Sequence, residues 1–117
     1  PDEEEERVGN RMCDAAARGD IDDIRAMLDA GASIDATDHD GRTALHLASA
    51  EGHLELVHFL VANNASIQHT DRWDRYPLKN AIREGYSEIR DALMRVGAVL
   101  HQEDQKQVSM QLPEMSS

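Results

Sequence analysis

Aromatic residues are scarce: one tryptophan, two tyrosines and one phenylalanine, 3% of the 117 residues. A core without rings has to come from Ala, Leu, Ile, Val and Met, which suits thin, closely packed helices better than a thick sandwich. Cysteine is scarcer still. Cys13 stands alone, so no intramolecular disulfide is possible and a reducing compartment fits best. Positive charge is outweighed, 12 Lys and Arg against 23 Asp and Glu, for a net charge of −11. Phosphate contacts need a basic footprint, so this balance argues against a nucleic-acid binder. No apolar run approaches the length of a membrane span, and no signal peptide is visible. A phosphate-cradling glycine loop, a Cys/His cluster and a nucleophile elbow are also missing. The length is one domain's worth. With Pro1 rather than Met at its start, the chain is expected to be a piece of a larger protein.

What is present is a repeat. Stepping by 33 residues carries Gly19 to Gly52 and Gly85, Ala15 to Ala48 and Ala81, and Met27 to Leu60 and Leu93. Ala32, Ala65 and Ala98 line up as well, as do Asp38 with Asp71 and Leu45 with Leu78. Such a period signals stacked copies of one small unit. Each unit carries two apolar stripes at helical spacing. In the middle unit Ala44, Leu45, Leu47 and Ala48 form one, Gly52-His53 breaks the chain, and Leu54, Leu56, Val57, Leu60 and Val61 form the next. First helices are expected near 10–17, 43–50 and 77–84, and second helices near 21–29, 54–62 and 87–95. The domain plan is an acidic lead over 1–7, repeats over 8–100 (units of about 8–37, 38–70 and 71–100), and a polar, flexible tail over 101–117.

The run GRTALHLA followed by EGHLELVHFLV resembles the ankyrin repeat. The middle unit supplies that family's Asp38, Gly41, Thr43, Leu45, His46, Ala48, Gly52 and His53, with Ala44 in place of the usual proline. The resemblance covers about 8–100 and implies an all-α solenoid of about three helix-turn-helix units with β-hairpin loops. Thr43 stands where a side-chain oxygen can cap a helix, and Gly41 where the turn needs an unusual backbone angle. His46 lies one turn on, and the resemblance implies a structural role for it. His53 and His58 are five apart and do not share a helix face. Cys13, on an apolar stripe, reads as packed core. The third unit departs from the pattern, with Asp74 for the turn glycine, Tyr76 for the capping threonine and Lys79 for the histidine. Turn and cap should be weaker there, by about 1 kcal/mol for a lost cap.

The resemblance further implies a non-catalytic protein–protein interaction module, with no catalytic residue, cofactor or metal. The family's variable contact positions fall on Arg18, His39, Asp40, Arg42, Ala50, Glu51, Arg72, Trp73, Arg75, Arg83 and Glu84. Five of the 12 basic residues land there, so an acidic protein is expected to present an arginine-rich face to a partner with an acidic segment. Arg42 and Arg75 are both expected to be exposed. Trp73 is either a contact at a loop tip or local packing under Arg72 or Arg75. The segment RTALHLASAEGHLELVHFL, with DRW after it, is also similar to the C-terminal ankyrin segment of kidney-type and liver-type glutaminases. That alternative implies a regulatory or assembly domain of an amidohydrolase. The expected location is intracellular: cytoplasmic, or mitochondrial if the glutaminase resemblance holds.

Overall fold

The computed structural model describes residues 3–105. Its helices are α1 (Glu3–Arg18), α2 (Ile21–Asp29), α3 (Ala44–Glu51), α4 (Leu54–Ala62), α5 (Pro77–Glu84) and α6 (Ser87–Arg95). One further helical turn covers 102–105. The helices pair as α1 with α2, α3 with α4 and α5 with α6. The first helices then stack, α1 on α3 on α5, while α4 touches α6 behind them. The stack is elongated, 49 × 26 × 21 Å, as expected of units that meet only their neighbours.

Local chemistry sets the helix ends. The Asp20 carboxylate accepts the Asp23 backbone N–H at 3.0 Å and starts α2. Pro77 opens α5, where its fixed φ suits the first turn and its missing N–H costs nothing. Gly52 ends α3 at φ +83°, a left-handed angle that glycine adopts without a Cβ penalty. Asn64, just after α4, also has positive φ, at 67°, an angle asparagine tolerates better than most residues.

The core is aliphatic, as the scarcity of rings implies. Met12, Ile24, Leu45, Leu56, Val57, Leu60, Leu78, Ile89 and Leu93 are buried, with Ala15, Ala16, Ala44, Ala48 and Ala81 letting the first helices approach closely. Each fully buried leucine or isoleucine contributes about 1.5–3 kcal/mol. One ring breaks the rule: Tyr76, in the position of the capping threonine, is wholly buried.

The first helix departs from expectation. It begins at Glu3, not near residue 10, so the acidic run is its first turn. Four glutamates there meet the positive end of the helix dipole. Gly9, within α1, lets the chain at Thr37 cross against the helix: a Cβ on Gly9 would lie 1.7 Å from the Thr37 carbonyl oxygen.

The inter-unit loops are hairpin-shaped, although no strand is assigned among the described residues. Asp38 N–H donates to the Arg42 carbonyl at 3.0 Å, and Asp71 N–H to that of Arg75 at 2.9 Å. Each loop is wrapped round its aspartate. Asp38 Oδ1 accepts the N–H groups of Asp40 and Arg42, and Asp71 Oδ1 those of Trp73 and Arg75, all at 2.9 Å. Asp74 replaces Gly41 yet adopts the same left-handed turn, at φ 62° against 76°. The turn is kept, and the strain is carried by an aspartate, a residue that tolerates it. Of the tail expected over 101–117, residues 106–117 lie outside the described residues.

Candidate functional site: the groove between the second and third units

His46 is fully buried at the start of α3. Its Nε2 lies 2.9 Å from the Arg75 carbonyl oxygen, which can only accept, so Nε2 carries the proton. Nδ1 is then the acceptor. It takes the Thr43 backbone N–H at 3.1 Å, with Thr43 Oγ1 at 2.9 Å. The ring thus caps its own helix and ties it to the next hairpin. Burial lowers the His46 pKa below the ordinary histidine value, against the opposing effect of the Arg75 carbonyl, and keeps the ring neutral as this geometry requires. His53 is likewise tied to its neighbour unit, with Nε2 2.8 Å from the Ala17 carbonyl. Cys13 donates to the Arg42 carbonyl at 3.2 Å, and burial, with the Asp38 charge adding to it, pushes the thiol up to about 12. At that value the thiolate, the nucleophilic form, is not populated near neutrality.

Seven of the expected contact positions share one cavity of about 190 Å³: Arg42, Ala50, Glu51, Trp73, Arg75, Arg83 and Glu84. It lies between the hairpins and the exposed side of α3 and α5. Sequence reasoning missed Asn80 and Asp71, which also line it. The Asn80 side-chain oxygen is buried with no hydrogen-bond partner among the described residues. A signal for Asn80 was available, since it occupies the repeat position of the apolar Leu47.

Four positions are not part of this cavity. Arg18 stands at the end of α1 and pairs with Asp14, Asp20 and Asp23 at 3.1–3.5 Å. His39 contacts Asn10 and Asp40. Asp40 bridges the two hairpins by accepting from Arg72 Nη1 at 3.2 Å, beside the backbone bond from Arg72 N–H to the Asp40 carbonyl. Arg72 is drawn to the tip by that pair.

The arginines therefore divide into two kinds. Arg42 is held at 2.8 Å by the buried Asp38 and also faces Asp40, so it braces its hairpin from a partly covered position. The expectation that Arg42 and Arg75 are both exposed is corrected: both are partly buried, and of the two only Arg42 is tied to a carboxylate. Arg75 and Arg83 have no carboxylate within ion-pair distance among the described residues. Trp73 is 49% exposed, with the guanidinium groups of Arg72 and Arg75 5.3 and 5.6 Å from its ring centroid. Stacking and exposure coexist: the ring has two guanidinium neighbours and is still open to solvent on part of its surface. No group of three or more His, Cys, Asp or Glu side chains arranged to hold a metal occurs among the described residues, and no described helix is long and apolar enough to cross a membrane.

Comparison with known proteins agrees with the repeat. The potassium channel KOR1 of Oryza sativa subsp. japonica is 44% identical over 45 residues, 38% of this chain and 5% of the channel. The chain thus spans a small fraction of that relative. The family described as ankyrin repeats (3 copies) matches residues 12–104. With that match running from inside α1 to the helical turn after α6, and with every hairpin and helix pair repeating in register, the chain belongs to the ankyrin repeat family.

Proposed function

We propose that this chain is a non-catalytic protein-interaction module and that the groove around Trp73 takes an acidic segment of a protein partner. The supporting observation is the combination of a half-exposed, arginine-stacked Trp73 with two guanidinium groups, on Arg75 and Arg83, that lack a carboxylate partner among the described residues. Tryptophan and arginine dominate interface energies, and an arginine fork matches a carboxylate in two hydrogen bonds. Glu51 and Glu84 border the same groove and disfavour segments carrying continuous negative charge, so a few spaced acidic residues fit better than a polyacidic run. An intracellular, cytoplasmic setting suits a buried free thiol. The reading as an amidohydrolase tail rests on the sequence resemblance to glutaminases alone, and nothing in the groove favours it.

Selection of a displayed random-peptide library on the wild-type chain provides the test. Recovered sequences should be enriched in Asp or Glu, lose binding to Trp73→Ala and Arg83→Glu chains, and bind more weakly as salt rises past physiological strength, where screening acts over about 8 Å. Binders indifferent to both substitutions, or a basic consensus, would refute the proposal.

A further inference from the structure

The residues that join one unit to the next recur at the repeat period. Stepping by 33 carries Cys13 to His46 and Lys79, Asn10 to Thr43 and Tyr76, and Asp38 to Asp71 and Asp104. At the first seam Cys13 reaches the hairpin carbonyl of Arg42, and at the second His46 reaches that of Arg75. At the third position the same reach is made to the segment after α6. Lys79 Nζ pairs with Asp104 Oδ1 at 3.0 Å, and Tyr76 Oη donates to Asp104 Oδ2 at 2.6 Å. The Tyr76 hydroxyl also accepts the His101 backbone N–H at 2.9 Å, and the two rings lie 4.3 Å apart.

The lead-in to this segment repeats as well. Asp35 Oδ1 accepts Ser66 N–H at 2.8 Å between the first two loops. One period on, Gln68 grips Val99 through both its amide atoms, at 2.8 and 3.2 Å. Burial alone would raise the Asp104 carboxyl, but the hydrogen bonds from Tyr76 and Lys79 outweigh it and hold the group below the usual carboxylate range. Family resemblance in sequence extends to residue 104.

We infer that residues 99–105, one period after 66–72, occupy the place of the stretch leading into a further hairpin and act as a strap that sets the position of α5 and hence of the third-unit wall of the groove. The path is short. Tyr76 is the residue before α5 and follows Arg75, which stacks on Trp73 and gives its carbonyl to His46. Asn80, Arg83 and Glu84 ride on the same helix. Asp104 ties the strap to both Tyr76 and Lys79 through one carboxylate, which is only 14% exposed in its side chain. Loss of the carboxylate leaves a buried tyrosine hydroxyl poorly matched and frees the start of α5. The effect on α5 stands by itself, whereas its consequence for binding rests on the acidic-segment reading.

Hydrogen exchange and tryptophan quenching of the full chain test the strap without a partner. In Asp104→Asn and in Tyr76→Phe, the amides of residues 78–84 should exchange about tenfold faster, the size of effect expected from losing a charge-assisted hydrogen bond that holds a local element closed. Those of α3 and α4 should stay close to wild type. Acrylamide should quench Trp73, the sole tryptophan, more strongly in both variants. Adding Lys79→Met to Asp104→Asn should change nothing further. Unchanged exchange over 78–84 overturns the strap, and so does acceleration spread equally over α3 and α4, which marks general loss of stability. If the strap signals hold while acidic peptides bind Asp104→Asn as tightly as wild type, its link to the groove is overturned.

Discussion

His46 Nε2 and the carbonyl oxygen of Arg75 are joined at 2.9 Å across 29 residues of chain. One buried ring therefore couples the helix cap of the second unit to the hairpin that carries Trp73. Replacing it by alanine strands the Arg75 carbonyl and the Thr43 N–H together. The His46→Ala chain should lose about 2–3 kcal/mol in denaturant unfolding. The same ring makes stability pH-dependent. The unfolded chain takes up the proton near pH 6.5 and the folded chain only at lower pH, because burial lowers the folded pKa. The stabilisation is thus fully present above about 6.5 and is lost as pH falls from there towards the folded value. His46→Gln should remove this part of the pH dependence; a melting profile over pH 4.5–7.5, in steps of about half a unit, compares the two chains.

Leu45 and Leu60 face the interior from α3 and α4, with 1% and 0% exposure. Truncating either to alanine should cost about 2–5 kcal/mol, including the cavity left behind. A domain of this size has total stability of about 5–15 kcal/mol, so either variant is expected to lose a large share of its stability and to melt well below the wild type. Circular dichroism at 222 nm follows the loss directly.

Gly52 and Gly85 form a matched pair. Both end a first helix at nearly the same angle, φ +83° and +81°. A Cβ on Gly52 would lie 2.8 Å from the Tyr86 ring, whereas one on Gly85 meets nothing within 4 Å. Gly85→Ala should therefore cost only the left-handed strain, about 1–2 kcal/mol, and Gly52→Ala measurably more. In a Tyr86→Ala background the two costs should converge, because the ring contact is gone.

Reversing Arg42 and reversing Arg75 should have different effects. Arg42→Glu places a carboxylate beside the buried Asp38, 2.8 Å from the present guanidinium nitrogen, and should destabilise the hairpin by about 2 kcal/mol or more through like-charge contact and loss of the pair. Arg75→Glu breaks no ion pair and should leave the melting temperature nearly unchanged while weakening any acidic ligand. Thermal melts of the two single variants decide the matter; equal shifts would remove the distinction drawn between these arginines.

The repeat was legible because the residues that repeat are the ones geometry constrains. Glycine at a left-handed helix end, alanine where helices touch and aspartate inside a hairpin each admit few substitutes, so a 33-residue spacing survives in the sequence. The second helices, carried by Leu54–Val61 and its counterparts, were readable to the residue for the same reason. The start of α1 was not, because Glu3–Glu6 form a helix through propensity and the dipole without an apolar stripe to announce it. The last seam was hidden by substitution: Tyr76 and Lys79 replace threonine and histidine, and the partner aspartate at 104 is surrounded by polar residues that resemble a tail. In the groove, composition indicated an excess of arginine but not its pairing, since the buried aspartate that neutralises Arg42 is recognisable only once the hairpin has closed.

The crossing of α1 by the chain at Thr37 has a consequence for how the N-terminal end can vary in length. Gly9 is the one position of the helix at which a Cβ would run into the Thr37 carbonyl, and Met12, Ala15 and Ala16 follow it into the core. Residues added or deleted within 3–8 lengthen or shorten the helix ahead of that crossing and leave Gly9 in register. A single insertion between Gly9 and Met12 turns everything before it by about 100°, which carries Gly9 off the crossing and puts a side chain in its place. Length changes are thus expected to be tolerated on one side of a single glycine and rejected on the other.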